Sequence, residues 1–278
     1  MKNLNNKVVV ITGAGSGIGR SLAIKMHENG ALLALNDFND KSLEETVHII
    51  DDVNKIYSEV FDVSKKKDFD QFAKNVINHF GKVDVIINNA GITIGSFSAV
   101  ETTIEDYEKV VGINMWGMIY GTLAFIPELR KQKESSVVNI SSVWGLLGSP
   151  YQSAYSVSKF GIRGFSEALA AEELCNNTGV VVTSVHPGGV KTNIVRNIKG
   201  QKLSESQLKK LDAHFPTTSN QTADKIINAI KKKRTKVIIG KDAKFMYRLT
   251  RFSQRLTMSF IVNWAKKMMK IQKWDQLQ

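Results

Sequence analysis

Short apolar runs alternate with longer amphipathic segments along most of the chain. The apolar runs predict strands at Val8 to Ile11, Leu32 to Leu35, Tyr57 to Phe61, Val83 to Asn88, Ser136 to Ile140, Val180 to Val185 and Lys236 to Ile239. The amphipathic segments predict helices at Ile18 to Asn29, Lys41 to Asp51, Lys67 to Phe80, Ile104 to about Lys131 and Tyr155 to about Cys175. Continuous apolar strands that alternate with helices are typical of a parallel sheet covered on both faces. The pattern therefore predicts an α/β protein with a doubly wound parallel sheet and three α/β/α layers.

The pattern changes after Gly240, where neither Gly nor Pro occurs again. Apolar residues recur every three or four positions at Phe245, Leu249, Phe252, Leu256, Phe260, Trp264, Met268 and Ile271. This spacing places them on one face of a helix. We therefore expect a single domain over residues 1–240, followed by an amphipathic helical tail over residues 241–278.

The net charge of +12 belongs almost entirely to this end of the chain. Residues 231–278 hold 14 Lys and Arg against Asp242 and Asp275, whereas residues 1–230 hold 24 basic and 24 acidic residues. A nucleic-acid-binding domain would spread its positive charge over its framework, so we expect no nucleic-acid partner. Two interpretations of the tail remain: it lies on an anionic membrane surface, or it packs on its own domain or on a partner subunit.

Composition sets further bounds on the protein. A chain of 278 residues with 42% hydrophobic residues can bury a large core. The single cysteine, Cys175, excludes an intrachain disulfide, and no signal-peptide pattern precedes Val8. These observations lead us to expect a cytoplasmic protein. The five histidines form no metal-ligand cluster in the sequence, so no metal site is predicted.

A glycine-rich turn lies between the first predicted strand and the first predicted helix. Its residues with a predicted cofactor-binding role are Gly13, Ser16, Gly17, Ile18 and Gly19. Glycines let the backbone approach a pyrophosphate, and the following helix directs free N–H groups at its charge. The spacing Gly-x-x-x-Gly-x-Gly differs from the Gly-x-Gly-x-x-Gly form, and no Lys-Ser/Thr follows as in a P-loop. The alternative is a tight turn without a ligand.

Asp37 stands at the end of the second predicted strand, eighteen residues after Gly19. A carboxylate there can accept hydrogen bonds from the adenosine ribose and would repel a 2′-phosphate. Neither Ser16 nor Phe38 offers a cation for such a phosphate. The sequence therefore favours NAD(H) over NADP(H), although Asp37 could instead cap the next turn.

Tyr155 and Lys159 are four residues apart on one predicted helix and therefore project from the same face. A nearby ammonium favours the phenolate and so lowers the phenol pKa from its usual value of ~10, which lets the phenol act in acid/base catalysis. Ser142 ends the strand before that helix and could hold a substrate oxygen beside the phenol. On its own such a Tyr-Lys pair is also common on solvated helix faces.

Together these motifs resemble the short-chain dehydrogenase/reductase family in its single-domain form. The residues that carry the resemblance are Thr12 to Gly19, Asp62 and Val63, Asn88 to Gly91, Asn114, Ser142, Tyr155, Lys159, Pro187, Gly188, Val190 and Thr192. The resemblance implies a Rossmann fold that binds a nicotinamide cofactor at the carboxyl ends of its strands. It also implies adenine contacts from Asp62 and Val63, and cofactor contacts from Asn89, Ala90, Gly91, Pro187, Gly188, Val190 and Thr192.

The implied activity is hydride transfer between NAD(H) and an alcohol or its carbonyl form. Tyr155 would act as acid/base, Ser142 would hydrogen-bond the carbonyl, and Lys159 would lower the phenol pKa and hold the nicotinamide ribose. Asn114 would hold a water that relays protons to Lys159, although a packing role is the commoner one for such an amide. The predicted rival is a dinucleotide-sensing protein that kept the fold without turnover.

Expectations about substrate and assembly are less direct. Mostly apolar residues follow the strand ends at Ile92, Ile94, Val143, Trp144 and Tyr151, which favours a lipophilic alcohol, aldehyde or ketone. Residues 193–220 resemble the family's variable substrate lid. By resemblance alone, a homodimer or homotetramer is expected through the helices Ile104 to Lys131 and Tyr155 to Cys175.

Overall fold

The structure is a computed structural model that describes residues 1–192, 194, 215 and 217–274, with side chains described as far as Lys266. Seven parallel strands form its central sheet in the order β3-β2-β1-β4-β5-β6-β9. The strands are β1 Val8–Thr12, β2 Leu32–Asp37, β3 Ile56–Val60, β4 Val85–Asn88, β5 Ser135–Ile140, β6 Val180–Pro187 and β9 Lys236–Ile239. A small parallel pair, β7 Val190–Lys191 and β8 Thr217–Thr218, lies beside the sheet. The doubly wound parallel sheet predicted from the sequence is confirmed.

Helices cover both faces of this sheet. They are α1 Gly17–Glu28, α2 Asp40–Ile50, α3 Lys66–Phe80, α4 Ile104–Val111, α5 Gly117–Arg130, α6 Ser153–Cys175, α7 Ser219–Lys231, α8 Lys241–Phe252 and α9 Gln254–Trp274. Short 3-10 turns occupy Val53–Lys55 and Val143–Gly145. A π-helical turn, Gly112–Trp116, joins α4 to α5. The helix expected from Ile104 to about Lys131 therefore exists, with one widened turn at its centre.

Alternation along each strand divides the core into two halves. On β1, Val9 and Ile11 face a cluster that includes Leu22 and Met26 of α1 and Ile226 of α7. Val8 and Val10 face the opposite cluster, which contains Phe69 and Phe72 of α3 and Phe125 of α5. Because the side-chain period of a strand is two, an uninterrupted apolar strand buries side chains on both faces at once. This explains why β1 is buried along its whole length.

The strand order reverses between β1 and β4, which are neighbours although β2 and β3 come between them in sequence. The connections on either side of this point run to opposite faces, so the loops after β1 and β4 diverge and leave a crevice. Ligands of open α/β sheets bind in such a crevice at the carboxyl ends of the strands. The fold therefore places the end of β1, with its glycine turn, at this position.

Helix α7 was not among the predicted elements; the lid predicted over residues 193–220 overlaps only its first two residues. Thr218 caps it by accepting from the Gln221 N–H, while the Gln221 side chain accepts from the Thr218 N–H. Lys25 of α1 pairs with Asp224 of α7 at 2.7 Å. The helix closes the crossover from β6 to β9. Most of the predicted lid, residues 193–220, lies outside the described residues.

The predicted helical extension is confirmed, but it consists of two helices instead of one. Ser253 adopts an extended conformation, with φ −158° and ψ 119°, and separates α8 from α9. The break changes which side chains face inward: Ala243 on α8 and Thr257, Ile261 and Ala265 on α9 are buried. Much of the apolar stripe predicted from the sequence consequently points away from the domain.

One stretch within the described residues, Ile104–Arg130, is long and apolar enough to cross a membrane by length and composition. In this fold it packs against β4, β5 and α6. Its apolar character is therefore explained by the helical layer of the domain.

Candidate active site

The residues predicted to form the site lie at or beyond the carboxyl ends of β1 to β6, in the π-helical turn and in helix α6. Every strand of this part of the sheet is parallel, so the loops that carry them emerge at one edge. The site is built from the glycine turn after β1, the loops after β4 and β5, and helix α6.

The glycine turn is held by Asn89, which follows β4. The Asn89 side-chain amide donates to the carbonyl oxygens of Thr12 at 3.0 Å and Gly13 at 3.1 Å. In return, the Thr12 hydroxyl accepts from the backbone N–H groups of Asn89 and Ala90, each at 3.1 Å. This reciprocal set fixes the glycine turn relative to the central strand β4.

The turn also requires glycine on steric grounds. Gly13 and Gly17 have φ values of +66° and +54°, which side chains rarely adopt. At Gly19, a Cβ would lie 2.6 Å from the Asn89 amide nitrogen and would overlap the Gly13 carbonyl oxygen. A backbone without side chains can approach a bulky anionic group closely. Helix α1 begins at Gly17, with Ser16 as its N-cap, so its free N–H groups point toward the same place. The geometry fits the pyrophosphate of a dinucleotide.

Asp37 lies against the same turn. Its carboxylate accepts from the Gly15 N–H at 2.8 Å and from the Asn39 N–H at 2.9 Å. These two bonds hold the carboxylate at the end of β2 and leave it beside the glycine turn, where an adenosine ribose would sit. At the end of β3, Asp62 accepts from the Ser64 N–H at 2.9 Å, and Val63 is buried beside Gly117.

Gly91, Asn114 and Lys159 come together from three different elements. A Cβ at Gly91 would lie 3.2 Å from Asn114 Oδ1 and 3.4 Å from Lys159 Nζ. Asn114, in the π-helical turn, accepts from the Ile92 N–H at 2.7 Å and donates to the Ile92 carbonyl and the Ser158 hydroxyl, both at 3.0 Å. Its amide thus fastens the loop after β4 to the turn before Lys159. In the structure the Asn114 side chain therefore has a positioning role.

Ser142, Tyr155 and Lys159 form the chemical centre of the site. Lys159 Nζ lies 5.4 Å from the centroid of the Tyr155 ring and donates to the Ile140 carbonyl at 3.0 Å. Ser142 begins the 3-10 turn after β5, where its hydroxyl accepts from the Trp144 N–H at 3.2 Å. The predicted one-turn spacing therefore brings the ammonium over the face of the phenol.

The pKa shifts in this centre differ from the expectation. Burial raises the pKa of Tyr155 to about 12, and the Ser142 hydroxyl acts in the opposite direction with a smaller effect. Burial also lowers the pKa of Lys159 to about 7. The sequence predicted that Lys159 would lower the phenol pKa, whereas burial raises it, because removal from water disfavours the charged phenolate. In this structure the phenol is protonated at neutral pH, and Lys159 changes charge near neutrality.

The loop after β6 closes the other side of the site. The Gly188 N–H donates to the Ile239 carbonyl at 2.8 Å, and the Gly189 N–H donates to Asp242 Oδ2 at 2.7 Å. Val190 is buried at the start of β7, and a Cβ on Gly17 would lie 3.3 Å from Thr192. The segment from Pro187 to Thr192 therefore reaches back to the glycine turn.

Two residues near the site had no predicted role there. His186 is buried; its Nδ1 lies 3.0 Å from the Ser142 carbonyl oxygen and its Nε2 lies 3.1 Å from the Ser184 hydroxyl. Since a carbonyl only accepts, Nδ1 carries the proton and Nε2 accepts. Burial lowers the pKa of His186 to about 4, so the ring is neutral and holds the Ser142 backbone. The second residue, Asp242, accepts the hydrogen bond from the Gly189 N–H, and no local sequence signal pointed to this role.

The extension completes the outer wall beside Ser142. Val143, Leu146 and Leu147 form a buried cluster with Ala243 of α8 and Ile261 of α9. The rings of Trp144 and Trp264 lie 5.8 Å apart. Part of the extension thus packs on its own domain, directly over the loop that carries Ser142.

The described residues contain no group of three His, Cys, Asp or Glu side chains placed to hold a metal ion. The bare glycine turn, the Asp37 carboxylate and the convergence on Lys159 instead fit a dinucleotide.

Comparison with known proteins agrees with this geometry. A family model described as short chain dehydrogenase matches residues 7–203. A putative oxidoreductase, SadH, from Mycobacterium tuberculosis is 37% identical over 280 residues, which cover 96% of this chain and 100% of the relative. The match therefore includes most of the C-terminal extension.

Solved structures give the same result. A short chain dehydrogenase/reductase from Burkholderia phymatum in complex with NAD superposes with a TM-score of 0.83 at 28% identity, covering 92% of this chain and 96% of that one. A short-chain dehydrogenase from Streptomyces avermitilis superposes with a TM-score of 0.78 at 28% identity, covering 96% and 99%. With a family match over most of the chain and relatives above 30% identity, the protein belongs to the short chain dehydrogenase family of oxidoreductases, which act on CH–OH or carbonyl groups.

Proposed function

We propose that the protein is an NAD(H)-dependent dehydrogenase/reductase that interconverts a lipophilic primary or secondary alcohol and its aldehyde or ketone. The observation that carries this proposal is the meeting of Ser142, Tyr155 and Lys159 beside Gly91 and the glycine turn. A protein that only senses a dinucleotide would need no acid/base group at this position, so the sensor is the less favoured alternative.

In the proposed mechanism, the nicotinamide supplies the hydride acceptor or donor when bound. Tyr155 exchanges a proton with the substrate oxygen, and the Ser142 hydroxyl donates a hydrogen bond to the same oxygen. Because burial raises the pKa of Tyr155 to about 12, the resting phenol is in its proton-donating form, the form that carbonyl reduction requires. Lys159 in its charged form stabilises the phenolate left behind, and its pKa near 7 lets it release or take up a proton at neutral pH.

We propose the following residues as cofactor contacts, in addition to Tyr155 and Lys159: Gly13, Ser16, Gly17, Ile18, Gly19, Asp37, Asp62, Val63, Asn89, Ala90, Gly91, Pro187, Gly188, Val190 and Thr192. Asn114 belongs to the catalytic group as a positioning residue. The preference for NAD(H) over NADP(H) rests on Asp37, since its held carboxylate would repel a 2′-phosphate.

The lipophilic character of the substrate is supported by the surroundings of Ser142. Val143, Leu146 and Leu147 are buried there, and Ile94 lies in a further apolar cluster with Ile92 partly buried against it. Apolar walls around a few polar groups are typical of sites for small apolar ligands.

The organisation around this site is also part of the proposal. Residues 1–240 form the catalytic domain with a substrate lid over 193–220, and residues 241–278 form the extension. Exposed apolar residues on α5 and α6, among them Leu123, Val157 and Phe160, support pairing of these helices in a homodimer or homotetramer. We place the protein in the cytoplasm, with peripheral membrane contact through the extension.

Cofactor binding is the first test. NADH and NADPH are titrated against the purified protein by fluorescence, together with Asp37→Ser. Tighter binding of NADH than of NADPH is expected, and Asp37→Ser should reduce that difference by at least about tenfold, since it removes the charge that repels the 2′-phosphate. Equal binding of both cofactors by the native protein would contradict the assigned preference.

Turnover is the second test. Absorbance at 340 nm is followed with NAD and a panel of aliphatic, aromatic and steroid alcohols, for the native protein, Tyr155→Phe and Tyr57→Phe. Tyr155→Phe should lower kcat by at least about a hundredfold, the usual contribution of acid/base catalysis, while the matched change at Tyr57 on the far edge of the sheet should not. Normal NADH binding with activity that Tyr155→Phe leaves unchanged would favour the sensor.

A further inference from the structure

The outward face of the C-terminal extension carries a row of exposed apolar side chains. We call this row the apolar ridge; it consists of Phe245, Phe252, Leu256, Phe260 and Trp264. Phe252, at the corner between α8 and α9, is 83% exposed. The Phe245 and Phe260 rings pack edge to face with centroids 5.5 Å apart, which holds α8 and α9 together along the ridge. Large side chains presented together in this way mark an interaction surface.

A basic cleft lies beside the ridge, between α7, the edge strand β9 and α8. Its cations are Lys225, Arg234, Lys236, Lys244 and Arg248; the rest of its lining consists of Asn228, Ala229, Val237, Ile238 and Tyr247. The cavity has a volume of about 590 Å³. Lys236 pairs with Glu167 at 2.6 Å, but the other four cations have no ion pair within the described part of the chain. Among the described residues that line the cleft there is no carboxylate, so the four cations without an ion pair offer positive charge to an anion.

We propose that the ridge and the cleft together form a docking surface for an anionic phospholipid membrane. The ridge enters the boundary between headgroups and acyl chains, and the cleft receives headgroup phosphates. Arg248 links the two parts, because it lines the cleft on the same helix that carries Phe245 and Phe252. Apolar side chains flanked by Lys and Arg are the pattern of helices that lie in a membrane interface.

Charge complementarity selects this partner over a second copy of the chain. From Lys241 to Lys266 the extension carries six Lys and Arg and a single acidic residue, Asp242. A symmetric dimer through this face would bring the same patch against itself and oppose like charges. A nucleic acid would satisfy the cleft but would leave the apolar ridge in water. An anionic lipid surface offers a partner to both the ridge and the cleft.

The surface is coupled to the site through α9. Ile261 packs against the loop that carries Ser142, and Trp264 contacts Trp144 while remaining part of the ridge. A lipophilic substrate dissolved in the bilayer would therefore reach the protein on the side where the extension covers the Ser142 loop. This consequence rests on the proposed function, whereas membrane binding itself does not.

The test is sedimentation of the full chain with vesicles of phosphatidylcholine alone or with phosphatidylglycerol added. Binding is expected only to the anionic vesicles, and it should weaken as salt is raised. The double variant Lys244→Glu/Arg248→Glu should lower the bound-to-free ratio by at least about tenfold, given the usual contribution of juxtamembrane cations. Phe252→Ser should lower it by about tenfold through loss of apolar insertion.

Matched controls lie at the opposite edge of the sheet. Lys67→Glu/Lys74→Glu on α3 makes the same charge change at exposed positions, and Val53→Ser removes an exposed apolar side chain from the turn before β3. Both should bind vesicles as the native protein does, and circular dichroism verifies that all variants are folded. Failure of the native protein to bind anionic vesicles overturns the proposal. The proposal is also overturned if sedimentation velocity shows that the native protein is a dimer and Phe252→Ser is not, because the ridge would then be a subunit interface. Equal loss of vesicle binding in the control variants overturns it as well.

Because the vesicle assay contains no cofactor or substrate, its outcome is independent of the turnover tests. A protein that binds vesicles but transfers no hydride would refute the proposed function alone.

Discussion

Asp242 Oδ2 accepts a hydrogen bond from the backbone N–H of Gly189 at 2.7 Å, and this bond ties the first turn of α8 to the loop after β6. The second oxygen, Oδ1, is buried and has no hydrogen-bond partner among the described residues. Asp242 is enclosed by two glycines, since a Cβ on Gly188 would lie 2.5 Å from its Cγ and one on Gly240 would overlap Oδ1. The extension therefore helps to shape the loop that the proposed cofactor site uses.

Replacement of Asp242 tests that link. Asp242→Ala removes a charge-assisted bond and leaves the Gly189 N–H unpaired, so we expect a loss of about 1–3 kcal/mol in the free energy of unfolding and weaker NADH binding. Asp242→Asn keeps an oxygen acceptor at the same position and should cost less. Urea titration and NADH fluorescence measure the two effects. Equal stability of the native protein and Asp242→Ala would show that the bond contributes nothing.

The space at Gly188 gives a second prediction. In Gly188→Ala the new methyl group would displace the Asp242 carboxylate, so we expect a loss of about 1–3 kcal/mol in stability together with a lower affinity for NADH. Gly148→Ala is the matched control, because a Cβ there meets no atom within 4 Å. If thermal unfolding of both variants matched the native protein, the enclosure of Asp242 by Gly188 would be wrong.

His186 predicts a pH dependence of stability. Its pKa is lowered from 6.5 to about 4, chiefly by burial, so the unfolded chain binds a proton at higher pH than the folded one. The stability that the neutral ring contributes is therefore present above pH 6.5 and is lost as the pH falls toward 4. Between pH 7 and pH 5 the native protein should lose about 2 kcal/mol more than His186→Gln.

Urea unfolding of the native protein and His186→Gln at both pH values gives this difference. The other histidines titrate in both proteins, and their contribution cancels. Parallel stability curves for the two proteins would exclude a buried neutral His186.

Lys159 predicts a gain of stability with rising pH. Burial lowers its pKa from 10.5 to about 7, so the unfolded chain holds the proton across a range in which the folded chain has released it. Stability is accordingly lowest near and below pH 7 and rises toward pH 10.5. From pH 7 to pH 9 the native protein should gain about 2 kcal/mol relative to Lys159→Met.

The same variant should be inactive yet more stable than the native protein at pH 7, because a charged group is no longer taken out of water. Unfolding at the two pH values is compared with turnover at 340 nm. A Lys159→Met protein that is less stable at pH 7 would mean that the Nζ bond to the Ile140 carbonyl outweighs the cost of burial.

Local pattern predicted most of the sheet and its helices. Val8 to Ile11 and Leu32 to Leu35 were predicted as strands because continuous apolar runs of that length leave few alternatives. Helix α7 was not predicted; its polar first turn, capped by Thr218 and Gln221, directly follows the stretch that resembled a lid. The break at Ser253 was not predicted, because the apolar residues keep their helical spacing on both sides of it.

The sequence by itself determined the parallel α/β fold, the glycine turn and the spacing that unites Ser142, Tyr155 and Lys159. These follow from residues close together in the chain, where hydrophobic period, glycine content and one-turn spacing act locally. Only the tertiary structure decided that His186 holds the Ser142 backbone, that Asp242 holds Gly189, and which side of the extension faces water. It also raised the pKa of Tyr155, which the sequence predicted to be lowered. Burial and long-range contacts depend on how distant elements pack, and that information is absent from any local pattern.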